Sequence, residues 1–173
     1  MLHRLLRVFT QSPDGYLWAN VQAMCTSFKQ ELLNGSHAFG AQAANGVRTV
    51  TTKDSFKMAL YLVSASRGAA DTVYNNTGEL AGTGNYTQTG TAVTNATAPT
   101  TTGTTAFWTP SASVSWAALT SSAAFDAALL YNDTSTSKLA VALFTFGSQT
   151  VTAGTFTLTM PTNDATTGLI RIA

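Results

Sequence analysis

Hydrophobic and polar positions alternate most regularly near the C-terminal end of the chain, in "TFTLTM". Phe156, Leu158 and Met160 fall on one side, and Thr155, Thr157 and Thr159 on the other. A period of two marks a strand with one buried face. The same period recurs upstream. "SVSWAAL" puts Val114, Trp116 and Ala118 inward, and "AFDAALLYN" puts Phe125, Ala127, Leu129 and Tyr131 on one face. "SFKMALYLVS" sets Phe56, Met58, Leu60 and Leu62 on one face and becomes apolar on both toward its end, while "KLAVALFTF" is apolar on both faces throughout. Two apolar faces predict central strands. "NDTSTS" and "GSQTVTAG" carry turn chemistry between these runs.

Strands are expected from near Val47 onward, and the Thr/Gly-rich stretch from Ser66 to Trp108 reads as short strands joined by long loops, anchored by Tyr86, Val93, Phe107 and Trp108. About seven to nine short strands without intervening helices predict an all-β fold, an antiparallel β-sandwich of jelly-roll-like type.

The first forty residues differ. Val21, Met24, Cys25, Phe28 and Leu32 recur at helical spacing, Ser27 with Gln30 fits a capping box, and Gly35 is a C-terminal stop. The spacing predicts one short helix from Phe28 to Asn34. Ahead of it, Leu5, Leu6, Val8 and Phe9 form an apolar patch with no large partner of its own. The expected organisation is an N-terminal arm with its short helix over 1–40 and a β-sandwich domain over 41–173. The arm's apolar patch either folds back on the domain or docks onto a neighbouring protein, and its residues, with Phe28 and Leu32 of the helix, are candidate interface positions.

Composition sharpens this picture through charge. Charged residues make up 10% of the chain, against about 25% in ordinary domains. Threonine fills the gap with 31 of 173 residues, and from Leu80 onward only Asp126, Asp133, Lys138, Asp164 and Arg171 carry charge. A formal charge of +1 provides no field for nucleic acid or an anionic membrane. The outer face of the last strand is threonine alone, whereas exposed strands ordinarily carry charge against edge-to-edge pairing. Thr155, Thr157 and Thr159 are therefore candidate interface positions.

Chemistry is sparse. Cys25 is the only cysteine, so no internal disulfide can form, and it reads as a buried apolar residue. His3 and His37 are the only histidines, too few with one thiol for a structural zinc site. Ser36-His37 lacks a nucleophile-elbow motif, and "GTGNYT" lacks the third glycine of a dinucleotide fingerprint. Among the carboxylates Asp54, Asp71, Glu79, Asp126, Asp133 and Asp164, most lie in turns; Asp126 is mid-strand and reads as an outward charge against mispairing. Tyr86, Trp108 and Trp116 are read as core or interface rather than sugar-stacking residues. No catalytic residue, metal or cofactor is expected. No window reaches the ~18 apolar residues of a membrane span. The opening "MLHRLLRVFTQSPDGYLW" does not look like a secretory signal. The sequons at Asn75, Asn85, Asn95 and Asn132 are expected by chance in so Asn- and Thr-rich a chain.

Two stretches carry a resemblance. "CTSFKQELLNGSHAFG" followed by "DSFKMALYLVSA" resembles the start of a family of tailed-bacteriophage virion proteins. "YNDTSTSKLAVALFTFGSQTVTAGTFTLTMPTNDATTGLIRIA" is similar to that family's C-terminal strands: a strand ending in Tyr-Asn, a polar turn, a strand ending in Phe-Gly, then a Thr-Phe-x-Leu-x-Met-Pro strand. Together they span about half the chain. The resemblance implies a capsid cement (decoration) protein on the capsid exterior of a virion, made in the host bacterial cytoplasm. Its partners would be the major capsid protein and copies of itself as a trimer, with no nucleic acid and no membrane. The alternatives are a head fibre or head–tail or tail accessory protein, and a carbohydrate-binding host-adhesion module. Residues 1–23 match nothing in the family and read either as a docking arm or as an upstream start.

Overall fold

A computed structural model of the chain describes residues 9–11, 17–19 and 21–22 by their backbone, and 23–41, 52–81 and 84–173 in full. Leu5, Leu6 and Val8 and the strand expected near Val47 lie outside the described residues.

The chain is mostly β, and every strand pairing is antiparallel. The largest sheet has five strands in the order β3 (Val21–Met24), β10 (Ala140–Gln149), β9 (Phe125–Asn132), β4 (Phe56–Leu62) and β5 (Thr91–Ala92). A three-stranded sheet runs β12 (Ile170–Ile172), β7 (Thr105–Trp108), β6 (Thr100–Thr102), and β8 (Val114–Leu119) pairs with β11 (Gly154–Leu158) as a ribbon. At the N-terminal end β1 (Phe9–Gln11) pairs with β2 (Leu17–Ala19), and β2 lies against β10.

The central strands behave as their apolar runs demand. β9 is buried from Ala127 through Asn132, on both faces rather than the one that alternation suggested, because the sheet it centres is covered on both sides. Two aromatic clusters join one face of this sheet to the smaller sheets. Phe39 stacks on Phe56 at 4.7 Å between centroids, and Trp108 of β7 packs against both. Farther along, Phe156 of β11 stacks on Trp116 at 5.7 Å and meets Phe125 and Phe146 of the large sheet. The segment after β4 covers the opposite face, with Arg67 over the Tyr61 ring and Tyr74 stacked on Tyr131.

Three expectations need correction. The helix α1 runs Thr26–Leu33, two residues earlier than its capping box implied; its N-cap Cys25 makes no side-chain cap bond. A backbone contact replaces the cap, with Thr26 N–H donating to Ala69 O, and the Ser27 hydroxyl is buried without a partner. The C-terminal stop is as read: Gly35 at φ 66° and the bonds Gly35 N to Leu32 O and Ser36 N to Glu31 O form a Schellman motif. The division between 40 and 41 does not separate two packing units. β3 pairs with β10, and Cys25, Phe28 and Phe39 belong to the same core cluster as the strands. Ala118 does not point inward. It adopts φ 53° and is exposed, and Leu119 takes the buried position instead, because a β-bulge shifts the register between Gly154 and Phe156.

Asp126 also sits at a bulge. Consecutive Tyr61 and Leu62 pair with Ala127 and Phe125, leaving Asp126 as the extra residue between them. The aspartate that looked like a regular mid-strand charge therefore marks where the ladder steps.

Burial pushes the Cys25 thiol up to about 12, with Asp71 and Glu31 adding to the rise and Arg67 opposing it. The thiolate is the reactive form, so a disulfide-exchange reagent added to native protein at neutral pH should modify Cys25 only at the rate of unfolding. Stoichiometric labelling within minutes, with the thermal transition intact, would contradict this burial.

Candidate interaction surface

The β8–β11 ribbon turns Val114, Trp116, Leu119 and Leu158 into the core, each at most 3% exposed. Phe156 and Met160 are partly buried and pack on the same cluster. The opposite face shows Ser115, Ala117, Thr155, Thr157 and Thr159, all exposed. Alternation thus places the three threonines where the sequence put them. Ser115 Oγ and Thr157 Oγ1 lie 2.9 Å apart across the ribbon, so these two hydroxyls bond to one another on the exposed face.

Neutrality extends beyond the ribbon. Among the described residues, Lys29 and Lys53 are the most exposed charged residues; Lys138, Lys57 and Asp133 keep side chains 41, 28 and 24% exposed, and the other fully exposed positions are uncharged. The strand β6 is threonine alone, exposed at all three positions.

Most of the remaining charges are tied into local structure. Asp54 accepts from Ala38 N at 2.7 Å and from Asn132 Nδ2 at 2.7 Å. Asp71 faces Arg67 Nε at 3.3 Å and accepts from Gly68 N. Glu79, 4% exposed, accepts the hydroxyls of Tyr74 and Tyr86 at 2.6 Å each. Burial first and the Glu79 bond second push both tyrosines far above their ordinary range. Asp164 accepts from Thr166 N, Thr167 N and Thr167 Oγ1, and the Thr167 bonds lead in holding its carboxyl below the usual range.

Asp133 sits between Lys138 Nζ at 2.9 Å and Lys57 Nζ at 3.3 Å. Partial burial raises its carboxyl, but the bonds from Lys138 and then Lys57 outweigh that and hold it below its ordinary 3.8. A group depressed in the folded state contributes stability above its unfolded value and loses it as pH falls through the folded one. Acid unfolding curves of Asp133→Asn should therefore be flatter than wild type below pH 3.8, where the depressed Asp164 keeps part of the slope. Identical slopes in wild type and variant would refute the clasp.

His37 is a fully buried side chain in a network rather than an exposed nucleophile partner. Its Nε2 lies 2.8 Å from Glu31 Oε2, and its Nδ1 lies 3.0 Å from Asn132 Nδ2. The amide orientation of Asn132 is fixed, because its Oδ1 accepts from Thr134 N and Ser135 N. Nδ2 therefore donates to both His37 Nδ1 and Asp54, and Nε2 carries the ring proton toward Glu31. Phe28 and Phe39 flank the ring. This geometry laces α1, the segment before β4 and the end of β9 together.

Of the expected interface residues, Phe28 is corrected: it is 0% exposed, in edge contact with Phe39 and His37, and unavailable to a partner. Leu32 is partly buried against the core, and Phe9 is described by its backbone in β1 alone. The neighbouring Leu33 is 90% exposed instead. Tyr86, Trp108 and Trp116 are core residues, each at most 2% exposed. Two sequons, at Asn95 and Asn132, have buried asparagines. No group of three or more His, Cys, Asp or Glu among the described residues is arranged to hold a metal, and no helix among them is long and apolar enough to cross a membrane.

No family model, curated protein or solved structure matches this chain. Its function must be argued from the surface.

Proposed function

We propose that this protein is a structural component of a tailed-bacteriophage virion, a capsid cement (decoration) protein seated on the exterior of the shell. In this reading the antiparallel sheets form a jelly-roll-like β-sandwich, and copies associate as a trimer on the major capsid protein. The observation that carries the proposal is the sparsely charged exposed surface: among the described residues Lys29 and Lys53 are the charges that stand most in the open, while the partly exposed Lys57 and Lys138 are paired with Asp133. Docking desolvates whatever it covers. Burying an unpaired charge costs far more than burying a methyl and a bonded hydroxyl, so threonine and alanine faces suit a subunit enclosed by neighbours. Symmetric repetition then multiplies weak contacts. The resemblance of Cys25 to Gly40 and of the segment from Tyr131 onward to virion proteins supports the same reading.

A host-adhesion module would need aromatic rings on its surface. The burial of Tyr86, Trp108 and Trp116 favours docking over sugar stacking. The test is direct. Antibody raised against the purified chain should decorate the outer shell of mature particles in immunogold electron microscopy. Absence of the protein from purified particles overturns the proposal, and labelling confined to the tail would move it to a tail accessory role.

A further inference from the structure

We propose that β11 is a self-pairing edge: two copies of the chain join their β11 strands antiparallel about a two-fold axis centred on Thr157, making a continuous four-stranded sheet from two ribbons. The inference deepens the capsid reading, for which it names one contact, but it stands on the ribbon's own geometry.

β8 and β11 pair with each other, and among the described residues neither has a second ladder partner. The two outer edges are not equivalent. The loop at Gly84 crosses so close to β8 that a Cβ there would lie 1.8 Å from Ala118 O, and Thr91 Oγ1 accepts from Trp116 Nε1 at 2.7 Å. β11 has no such cover among the described residues.

The direction of its backbone groups can be read from two bonds. Met160 N–H is turned toward β8, donating to Ser113 Oγ at 3.1 Å. Backbone groups alternate along a strand, so Leu158 and Phe156 share that side and the three threonines turn theirs outward. The 2.9 Å contact between Ser115 Oγ and Thr157 Oγ1 agrees: such close side chains mark a non-hydrogen-bonded pair, whose backbone groups point away from each other. The outer edge of β11 therefore presents the N–H and C=O groups of Thr155, Thr157 and Thr159.

The usual defences of an edge are charge, an internal proline or an outward bulge. No charged residue occurs between Lys138 and Asp164, Pro161 lies beyond the strand, and the bulge between Gly154 and Phe156 puts its extra residue on β8, at Ala117–Ala118, rather than on β11. Charge selects the occupant. On a two-fold axis the central residue meets its own copy and the flanking residues meet each other in reciprocal pairs, and like charges opposed there are destabilising. Here Thr157 would face Thr157 of the second copy and Thr155 would face Thr159, neutral throughout, and opposed threonines are favourable cross-strand pairs. A two-fold contact does not close a ring, so it would link neighbouring threefold assemblies.

Cysteine cross-linking tests the register. Paired residues sit about 5.5 Å apart at Cα, inside the roughly 4.4–6.8 Å range of disulfides, and the buried native thiol of Cys25 does not compete. Under mild oxidation Thr157→Cys should form a covalent dimer at least tenfold faster than Thr101→Cys on the exposed strand β6. Thr155→Cys mixed with Thr159→Cys should cross-link faster than either alone. In sedimentation equilibrium, Thr157→Lys should weaken self-association of the otherwise wild-type chain at least tenfold with an unchanged thermal transition. Equal rates at positions 157 and 101, or a wild-type chain that stays monomeric at high micromolar concentration, overturn the proposal. These measurements use purified protein without particles. Failure here leaves the capsid reading standing, and absence from particles leaves the strand pairing standing.

Discussion

Asn132→Ala should lower the stability of the folded chain by about 3–5 kcal/mol, since each buried polar group left unpaired costs roughly 1–3 kcal/mol. The asparagine is 1% exposed and makes four bonds: to His37 Nδ1, to Asp54 Oδ2, and from Thr134 N and Ser135 N. Alanine removes all four at once and leaves the buried His37 ring without its Nδ1 partner and Asp54 without one of its two donors. The expected readout is a large fall in the urea midpoint with little change in slope, because the surface exposed on unfolding is nearly the same. A loss below about 1 kcal/mol would mean that water replaces the amide and that the network is not a lacing device. Asn132→Asp should be severe as well at neutral pH, since a carboxylate would then oppose Asp54 across a 2.7 Å contact.

The second large effect is expected at Trp116, which is 0% exposed, stacks on Phe156 and donates Nε1 to Thr91 Oγ1 at 2.7 Å. Trp116→Ala should cost about 3–5 kcal/mol, the usual range for removing a buried large aromatic. Domain stability is typically about 5–15 kcal/mol, so the thermal midpoint should fall by many degrees. The loss should also be local in character. Trp116 and Phe156 fix the two-stranded ribbon to Phe125 and Phe146, and a lone two-stranded ribbon is marginal in water. Hydrogen exchange in 114–119 and 154–158 should therefore accelerate more than in β9. Uniform acceleration across both regions would show that the ribbon is not a separable unit.

Much of the β architecture was legible because burial writes itself into alternation. Phe156, Leu158 and Met160 against three threonines gave the orientation of β11 correctly, and the doubly apolar "KLAVALFTF" gave a strand flanked on both sides. The misses have physical causes. Ala118 was read as inward because alternation assumes an unbroken register, and a bulge formed by an alanine at positive φ leaves no mark in residue type. The start of α1 was misplaced because a backbone carbonyl, Ala69 O, takes the role that a capping side chain was expected to fill. The His37–Asn132 contact joins residues 95 apart, a distance over which no local pattern carries information. The burial of Phe28 leaves no local mark because its partners, Phe39 and His37, sit in a loop with no periodicity of its own.

The scarcity of exposed charge has a kinetic consequence. Oppositely charged surfaces steer one another and can associate at up to about 10⁸–10⁹ M⁻¹s⁻¹ at low salt, whereas neutral ones are held to roughly 10⁵–10⁶ M⁻¹s⁻¹. On the capsid reading proposed above, a subunit with so few open charges, Lys29 and Lys53 foremost among the described residues, has little field with which to find its seat. Its arrival would be slow, nearly indifferent to ionic strength, and set by how often the right faces collide. Occupancy at each site would then be governed by subunit concentration and by slow departure, and a change of salt would alter neither the order nor the pace of filling.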